Sequence, residues 1–492
     1  MRWRDLKVTW TATPDHKRFI KRYAQALESG DVAIFAGAGL SRGAGYVDWK
    51  SLLKEIANDL KLDIDRETDL IAVAQYHLNE KRSRTRITQT IVDELAGTAK
   101  PTPSHAVLAR LPVATVWTTN YDQLLEHAFE NAGKLVDVKI AQENLAHTKR
   151  GRDVILYKMH GCVTFPHETV ITKDDYEQYE RKRPLFVEAL KGDLVSKTFL
   201  FLGFSFADPN IDYILSRVRV LLGTNVREHH CVMREPERPF RLAGTLKAEY
   251  DYEKRRTALR QSDLLRFGID TVWVEDYSHV RPLLDALSSH VHRNSVFVSG
   301  ACSDPSPLGR DRLDGLTREI GLRLIRDGYN LVSGFGLGLG EQCVLGALRA
   351  LYGIPKGAEV ERLIVRPFPR AKDGDQQAQN TSHREELIAR SGIVVVVSGN
   401  RATSGGGTEI SPGVLEEVDI ARRQRKFVIP IGATGHAARK VWEMASAAPD
   451  EFLPGIRART ELNVLGSSSV TNDQLINALF AVLTKARKAL TV

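Results

Sequence analysis

The chain has 492 residues, 42% of them hydrophobic and 26% charged. That length exceeds the roughly 250–300 residues that one hydrophobic core holds, so two domains are expected, and the composition excludes wholesale disorder. A formal net charge of +8 spread over such a chain gives a mildly basic solvated surface and argues against a nucleic-acid-binding protein.

Residues 31–45 read DVAIFAGAGLSRGAG, a short apolar strand at 32–35 running into a glycine-rich turn. Residues 49–60 place Trp49, Leu52, Leu53, Ile56, Ala57 and Leu60 at the spacing of a helix burying one face, with Asp48 at its N-cap. The same grammar recurs down the chain. A strand at 113–117 gives way to a polar turn at 118–122 and a helix from 123, and a strand at 155–157 ends at Met159-His160-Gly161. A strand at 199–202 leads to Gly203-Phe204-Ser205-Phe206-Ala207-Asp208 and, from Pro209, to a helix with Ile211, Ile214, Leu215, Val218 and Leu222 on one face. Charged, helix-prone residues at 249–261 precede a strand at 271–274, and the polar stretch 288–294 has the composition of a linker.

A second α/β pattern follows, with strands at 296–299, 330–332, 363–365, 393–397 and 427–431 and helices at 313–324 and 473–488. Residues 373–379 are polar enough for a mobile loop. Strand, glycine or polar turn, helix, repeated twice over, predicts an α/β chain with two Rossmann-like parallel-sheet domains in tandem, 1–288 and 295–492. Ligands of such sheets bind at the carboxyl ends of the strands. The apolar runs have strand length, far from the ~18 residues of a membrane span, and residues 1–10 lack the sustained apolar segment of a signal peptide.

Chemistry concentrates at those strand ends. The glycines at 37, 39, 43 and 45 suit either a tight turn or the approach of a phosphate to backbone amides, but neither a P-loop nor a GxGxxG in standard register is present. The set Phe35-Ala36-Gly37-Ala38-Gly39-Leu40-Ser41, Thr118-Thr119-Asn120-Tyr121-Asp122, His160-Gly161 and Gly203-Phe204-Ser205 resembles the sirtuin-like NAD-hydrolase domains of bacterial antiphage defence proteins over roughly residues 31–275. The resemblance implies cleavage of the bond between nicotinamide and ribose, with NAD as substrate and Asn120 and His160 as the catalytic pair. Asn offers a paired donor and acceptor for a water or ribose hydroxyl, and His accepts a proton near neutral pH. Ala36, Gly37, Gly39, Ser41, Asp122, Gly203 and Ser205 become candidate NAD contacts, with Asp122 equally suited to capping a helix. His105, His127 and His167 carry no comparable context.

Two departures favour NAD hydrolysis over protein deacylation. The four-cysteine zinc module of deacetylating sirtuins is absent: Cys162 and Cys231 are alone in that region, Cys302 and Cys343 lie beyond it, and no metal is expected. Val47-Asp48-Trp49 also replaces the acidic-arginine pair after the glycine loop. Four scattered cysteines suit a reducing cytoplasm.

In the second half, residues 405–417 resemble the nucleotide-sensing SLOG superfamily over about 295–441. Ser299, Gly300, Gly334, Phe335, Gly336, Gly406 and Gly407 are small or loop residues at strand ends. Arg384 suits a phosphate, and Glu416 and Glu417 suit ribose or base, unless these charges simply face solvent. The pairing of both halves resembles the effector of the Thoeris antiphage system. That resemblance implies activation by a cyclic ADP-ribose isomer made by a TIR-domain partner, and a homotetramer. An NAD-dependent deacylase and a non-catalytic nucleotide-binding scaffold are the alternatives.

Overall fold

The computed structural model describes residues 10–491 apart from 47, 96, 98, 207, 224, 240–243, 353–361, 370–374 and 404. The chain divides into two compact units, Met1–Leu287 and Ser288–Val492.

In the first unit, seven strands form one sheet in the order β3-β4-β2-β1-β5-β6-β7. They are β1 (Val32–Ala36), β2 (Thr115–Thr118), β3 (Val136–Lys139), β4 (Val154–Lys158), β5 (Thr198–Leu202), β6 (His229–Arg234) and β7 (Ile269–Val274). All pairings are parallel. Every residue of β1 and β5 is buried, which is why these strands are continuous apolar runs and not alternating ones. The chain leaves β1 toward β2, β3 and β4, then crosses back to lay β5 on the other side of β1. Strand order reverses at β1, and that reversal opens a crevice at the carboxyl ends of β1, β2 and β5.

A second, smaller core sits beside this sheet. Leu52, Leu53, Ile56, Val73, Ile87 and Ile91, from the helical segment after β1, pack with Tyr121, Cys162 and Ile171. The expected helix at 49–60 is two, Trp49–Leu52 and Lys54–Asp59, because Leu53 leaves helical geometry at φ −89°, ψ 2°. Both still bury the predicted apolar face.

The second unit holds a five-stranded sheet, β10-β9-β8-β11-β14, and a two-stranded one, β12-β13. The strands are β8 (Ser295–Ala301), β9 (Asn330–Ser333), β10 (Leu363–Val365), β11 (Ile393–Ser398), β12 (Asn400–Ala402), β13 (Thr408–Ile410) and β14 (Phe427–Ile431). The larger sheet is parallel throughout and reverses between β8 and β11. Helices Arg310–Arg326 and Gly340–Leu351 meet through glycines on both sides: a Cβ on Gly321 would stand 1.9 Å from the Cys343 carbonyl oxygen, and one on Gly346 would stand 1.9 Å from that of Arg318.

Two polar stretches differ from expectation. Residues 288–291 are the last turn of the helix Val280–Val291 and not a linker, and Ser288, His290 and His292 are buried. Of the expected loop 373–379, Asp375 caps and residues 376–379 begin the helix Gln376–Ala389, while 373 and 374 lie outside the described residues. Composition alone missed the cap, a short carboxylate accepting from the Gln377 and Ala378 amides.

The glycine contact between helices is testable. Gly321→Ala should lower stability by about 2–4 kcal/mol through forced separation of two backbones. Gly192→Ala, in the helix Pro184–Ser196 with open space around its Cβ, should raise it by up to about 1 kcal/mol. Thermal unfolding of the full chain measures both; equal transitions would contradict the contact.

Candidate functional site

The carboxyl ends of β1 and β5 touch backbone to backbone. A Cβ on Gly37 would lie 2.5 Å from the Gly203 carbonyl oxygen, and one on Gly203 would lie 2.3 Å from the Leu40 nitrogen. Gly203 also has φ +64°, a conformation side chains resist. The Gly37 amide donates to the Leu202 carbonyl at 2.9 Å, and the Gly39 amide to the Gly203 carbonyl at 2.9 Å. Those two amides are therefore used within the fold, and the glycines are required by the close approach of two loops. Ala36 ends β1, and its carbonyl accepts from the Thr118 hydroxyl at 2.9 Å.

This contact positions Asn120, which follows β2. Its Nδ2 donates to the Gly37 carbonyl at 3.0 Å and to Ser41 Oγ at 2.9 Å. Ser41 Oγ donates to Asp122 Oδ2 at 2.7 Å, and Asp122 Oδ1 accepts from the Leu124 amide at 3.0 Å. Ser41 and Asp122, both buried, thus orient Asn120; Asp122 also holds the first amide of the helix Leu124–Asn131, whose N-cap is Gln123 and not Asp122. With both amide hydrogens committed, Asn120 Oδ1 is left buried without a hydrogen bond. A buried acceptor without a partner costs on the order of 1–3 kcal/mol, so this oxygen calls for one.

His160 follows β4 and is 1% exposed. Its ring lies edge-on to Tyr176 and Tyr179, with centroids 5.3 and 6.0 Å away. Burial drives its pKa below the ordinary 6.5; nearby Asp208 opposes that shift, Arg183 adds to it and Asp175 opposes it. The ring is therefore neutral at neutral pH. Its Nε2 makes no hydrogen bond and lies 3.4 Å from Asp208 Oδ2. Asp208 stood in the sequence motif after β5 without drawing notice, since an Asp before Pro is an ordinary helix cap; only the fold brings it to the histidine. Ser205 is exposed in the same turn, and Ala207 lies outside the described residues. Val47, of the segment that replaces the sirtuin acidic-arginine pair, also lies outside them, and Asp48 caps the helix Trp49–Leu52 through the Ser51 amide.

A cavity of 320 Å³ nearby is lined by Gln142, Val170, Tyr179 and Arg183 among others, but by neither Asn120 nor His160. Asn120 and His160 instead stand at the carboxyl ends of β2 and β4, where sheets of this kind bind ligands. Among the described residues, Glu228, His230 and Asp270 are close enough together to hold a metal ion. Glu228 is already paired with Arg22 at 2.5 Å, and the group lies at the start of β6 and β7, away from the crevice.

In the second unit, Ser299 Oγ donates to Glu417 Oε2 at 2.5 Å. Arg384 pairs with Glu416 at 3.0 Å and stands 3.6 Å from Glu417, with its guanidinium over the Phe368 ring. Burial pushes the Glu417 carboxyl up to about 7, against the opposing pull of Ser299 and Arg384. These side chains are tied together, not directed singly into solvent. Gly300 packs on the Val397 carbonyl, Gly336 on Gly300, and Gly334 on Phe368, so these glycines belong to the same cluster. Phe335 is 42% exposed at φ +55°. Gly406 and Gly407 turn the exposed β12–β13 hairpin, and a Cβ on Gly406 would meet open space.

Known proteins match both units. Residues 114–258 match the SIR2-like domain, and residues 279–486 match the Sir2- and TIR-associating SLOG family. The chain is 40% identical to the NAD(+) hydrolase ThsA of Bacillus cereus (strain MSX-D12), over 94% of this chain and 96% of that protein. It is 38% identical to the NAD(+) hydrolase ThsA of Enterococcus faecium, over 95% and 99%. A 30% match to Defense-associated sirtuin 2 of Bacillus subtilis covers 41% of this chain and 20% of that protein. With near-complete coverage of both partners and both domains matched in order, the chain belongs to the ThsA family of NAD(+) hydrolases.

Proposed function

We propose that the chain hydrolyses NAD to nicotinamide and ADP-ribose in the crevice of its first unit, with Asn120 and His160 as catalytic residues. The observation that carries this reading is Asn120, buried at a strand end with its Nδ2 held by Gly37 and Ser41 and its Oδ1 left without a hydrogen bond, in a member of an NAD(+) hydrolase family. As the bond from C1′ to the nicotinamide nitrogen breaks, nicotinamide leaves with the electron pair and positive charge develops on the ribose. Asn120 Oδ1 accepts a hydrogen bond from the attacking water or a ribose hydroxyl. His160, neutral when free, accepts the proton released as the water oxygen bonds C1′. Ala36, Gly37, Gly39 and Gly203 form the wall against which the dinucleotide lies, Ser41 and Asp122 hold Asn120, and Ser205 is exposed where it meets the phosphate or ribose.

The second unit is read as the sensor for a cyclic ADP-ribose isomer made by a TIR-domain partner, which its family name supports. Ligand phosphate competes with Glu416 and Glu417 for Arg384. Ser299, Gly300, Gly334, Phe335 and Gly336 line the same strand ends, and Gly406 and Gly407 close over the ligand from the hairpin. To switch the enzyme, the ligand must bind the active arrangement more tightly than the resting one. A homotetramer in the cytoplasm completes this reading. It is supported by exposed Val220, Leu221, Leu246 and Tyr252 on two helices of the first unit and by four unpaired cysteines.

Asn120→Ala and His160→Ala should each lower nicotinamide release at least about 100-fold with the fold intact by circular dichroism; full turnover in both would refute the assignment. Because the histidine must be neutral and its pKa is lowered, the acid limb of the kcat/KM profile should fall below pH 6.5. A limb above that value would point to another base. Arg384→Ala should weaken binding of an activating cyclic ADP-ribose isomer at least about tenfold in calorimetry, and unchanged affinity would remove Arg384 from the sensor.

A further inference from the structure

Asp208 has a divided carboxylate. Its Oδ1 accepts from the amides of Asn210 at 3.0 Å and Ile211 at 3.2 Å, capping the helix Pro209–Leu222. Its Oδ2 lies 3.4 Å from Nε2 of the buried His160 ring. The cap thus fixes the carboxylate, and with it the oxygen that faces the histidine.

The other charged and titratable groups around this ring have partners of their own. Asp175 pairs with Arg84 at 2.8 Å and accepts from the Ile171 and Thr172 amides. Arg183 donates to the carbonyls of Ile140, Met159 and Glu168. The Tyr121 hydroxyl donates to the Val170 carbonyl, and that of Tyr179 to the Met159 carbonyl, while Tyr176 presents its ring. Asp208 is the carboxylate that meets the imidazole directly.

We infer that Asp208 is a positioning residue for the reaction: it holds the His160 ring in one orientation and stabilises the imidazolium formed when that ring takes a proton. The inference rests on the reading of His160 as the base. With its hydrogen on Nε2, the neutral ring meets the Asp208 carboxylate weakly at 3.4 Å and keeps Nδ1 as the atom that takes the proton. Once protonated, it forms a charge-assisted hydrogen bond, so the contact strengthens as the proton transfers and relaxes when the proton passes to solvent. Burial alone would make His160 a poor base, and Asp208 restores part of its basicity.

The test compares the full chain with Asp208→Asn, Asp208→Ser, His160→Ala and His160→Ala/Asp208→Asn, measuring nicotinamide release from NAD across pH. Asn and Ser both cap helices; Ser is too short to reach the ring, and equal thermal transitions confirm folding. Asp208→Asn should lower kcat about 10- to 100-fold with KM within about threefold, and move the acid limb to lower pH because the ring then protonates less readily. Asp208→Ser should lose as much, and the double variant should be no slower than His160→Ala. Wild-type kcat and an unmoved limb in Asp208→Asn would overturn the inference. So would a raised KM at unchanged kcat, which would make Asp208 a substrate contact. Full turnover in His160→Ala would instead overturn the reading beneath it.

Discussion

Two loops that leave no room for a methyl group between them set the geometry of the first unit. Gly37 and Gly39, after β1, lie against Gly203, after β5, at distances only bare backbone tolerates. That contact closes the crevice made by the reversal of strand order and aims the Gly37 carbonyl at Asn120 Nδ2. Ser41 then takes the second amide hydrogen and passes its own to Asp122. The result is an amide with one orientation and one empty acceptor. The loop after β5 also runs on to Asp208, so the same strand end that packs against the glycines delivers the carboxylate beside His160.

The polar groups at the strand ends of the two sheets are paired to different degrees. In the first unit Asn120 Oδ1 and His160 Nε2 make no hydrogen bond, and on the proposed function a bound substrate supplies a partner to Asn120. In the second, Ser299, Glu417, Arg384, Glu416 and Thr381 pair with one another, while Arg384 Nε, 3.6 Å from Glu417, makes no hydrogen bond. On the proposed sensor reading, a ligand entering that cluster replaces an existing ion pair, and the differential between the paired and liganded arrangements is the energy available for switching. Glu417, with its carboxyl pushed up to about 7 by burial, is the member whose charge is most easily given up.

Much of this was legible from residue order. β1, β5, β11 and β14 appeared as apolar runs because parallel strands covered on both faces need no polar alternation. Asn120 and His160 were singled out by the resemblance of four strand-end blocks to the sirtuin-like NAD hydrolases, not by their strand-end position alone. Less visible was why the glycines are there: spacing alone fits a phosphate cradle and a tight contact between loops equally, and the choice depends on β5, more than 160 residues later in sequence. Asp208 was hidden by its Pro neighbour, which explains the residue locally as a cap. The polar residues 288–291 resembled a linker because composition does not register the burial of Ser288 and His290. The paired roles of Glu416 and Glu417 could not be read from a helix, where neighbouring carboxylates look like an ordinary solvated face.

The most direct test of the central claim is product analysis of the full chain incubated with NAD in ¹⁸O-labelled water, with and without a cyclic ADP-ribose isomer, and with no acyl-lysine substrate. The account predicts nicotinamide and ADP-ribose in equal amounts, one solvent oxygen on C1′ of the ribose, and a rate that rises when the cyclic nucleotide is present. Binding of NAD without nicotinamide release, or release only when an acyl-lysine peptide is added, would contradict it.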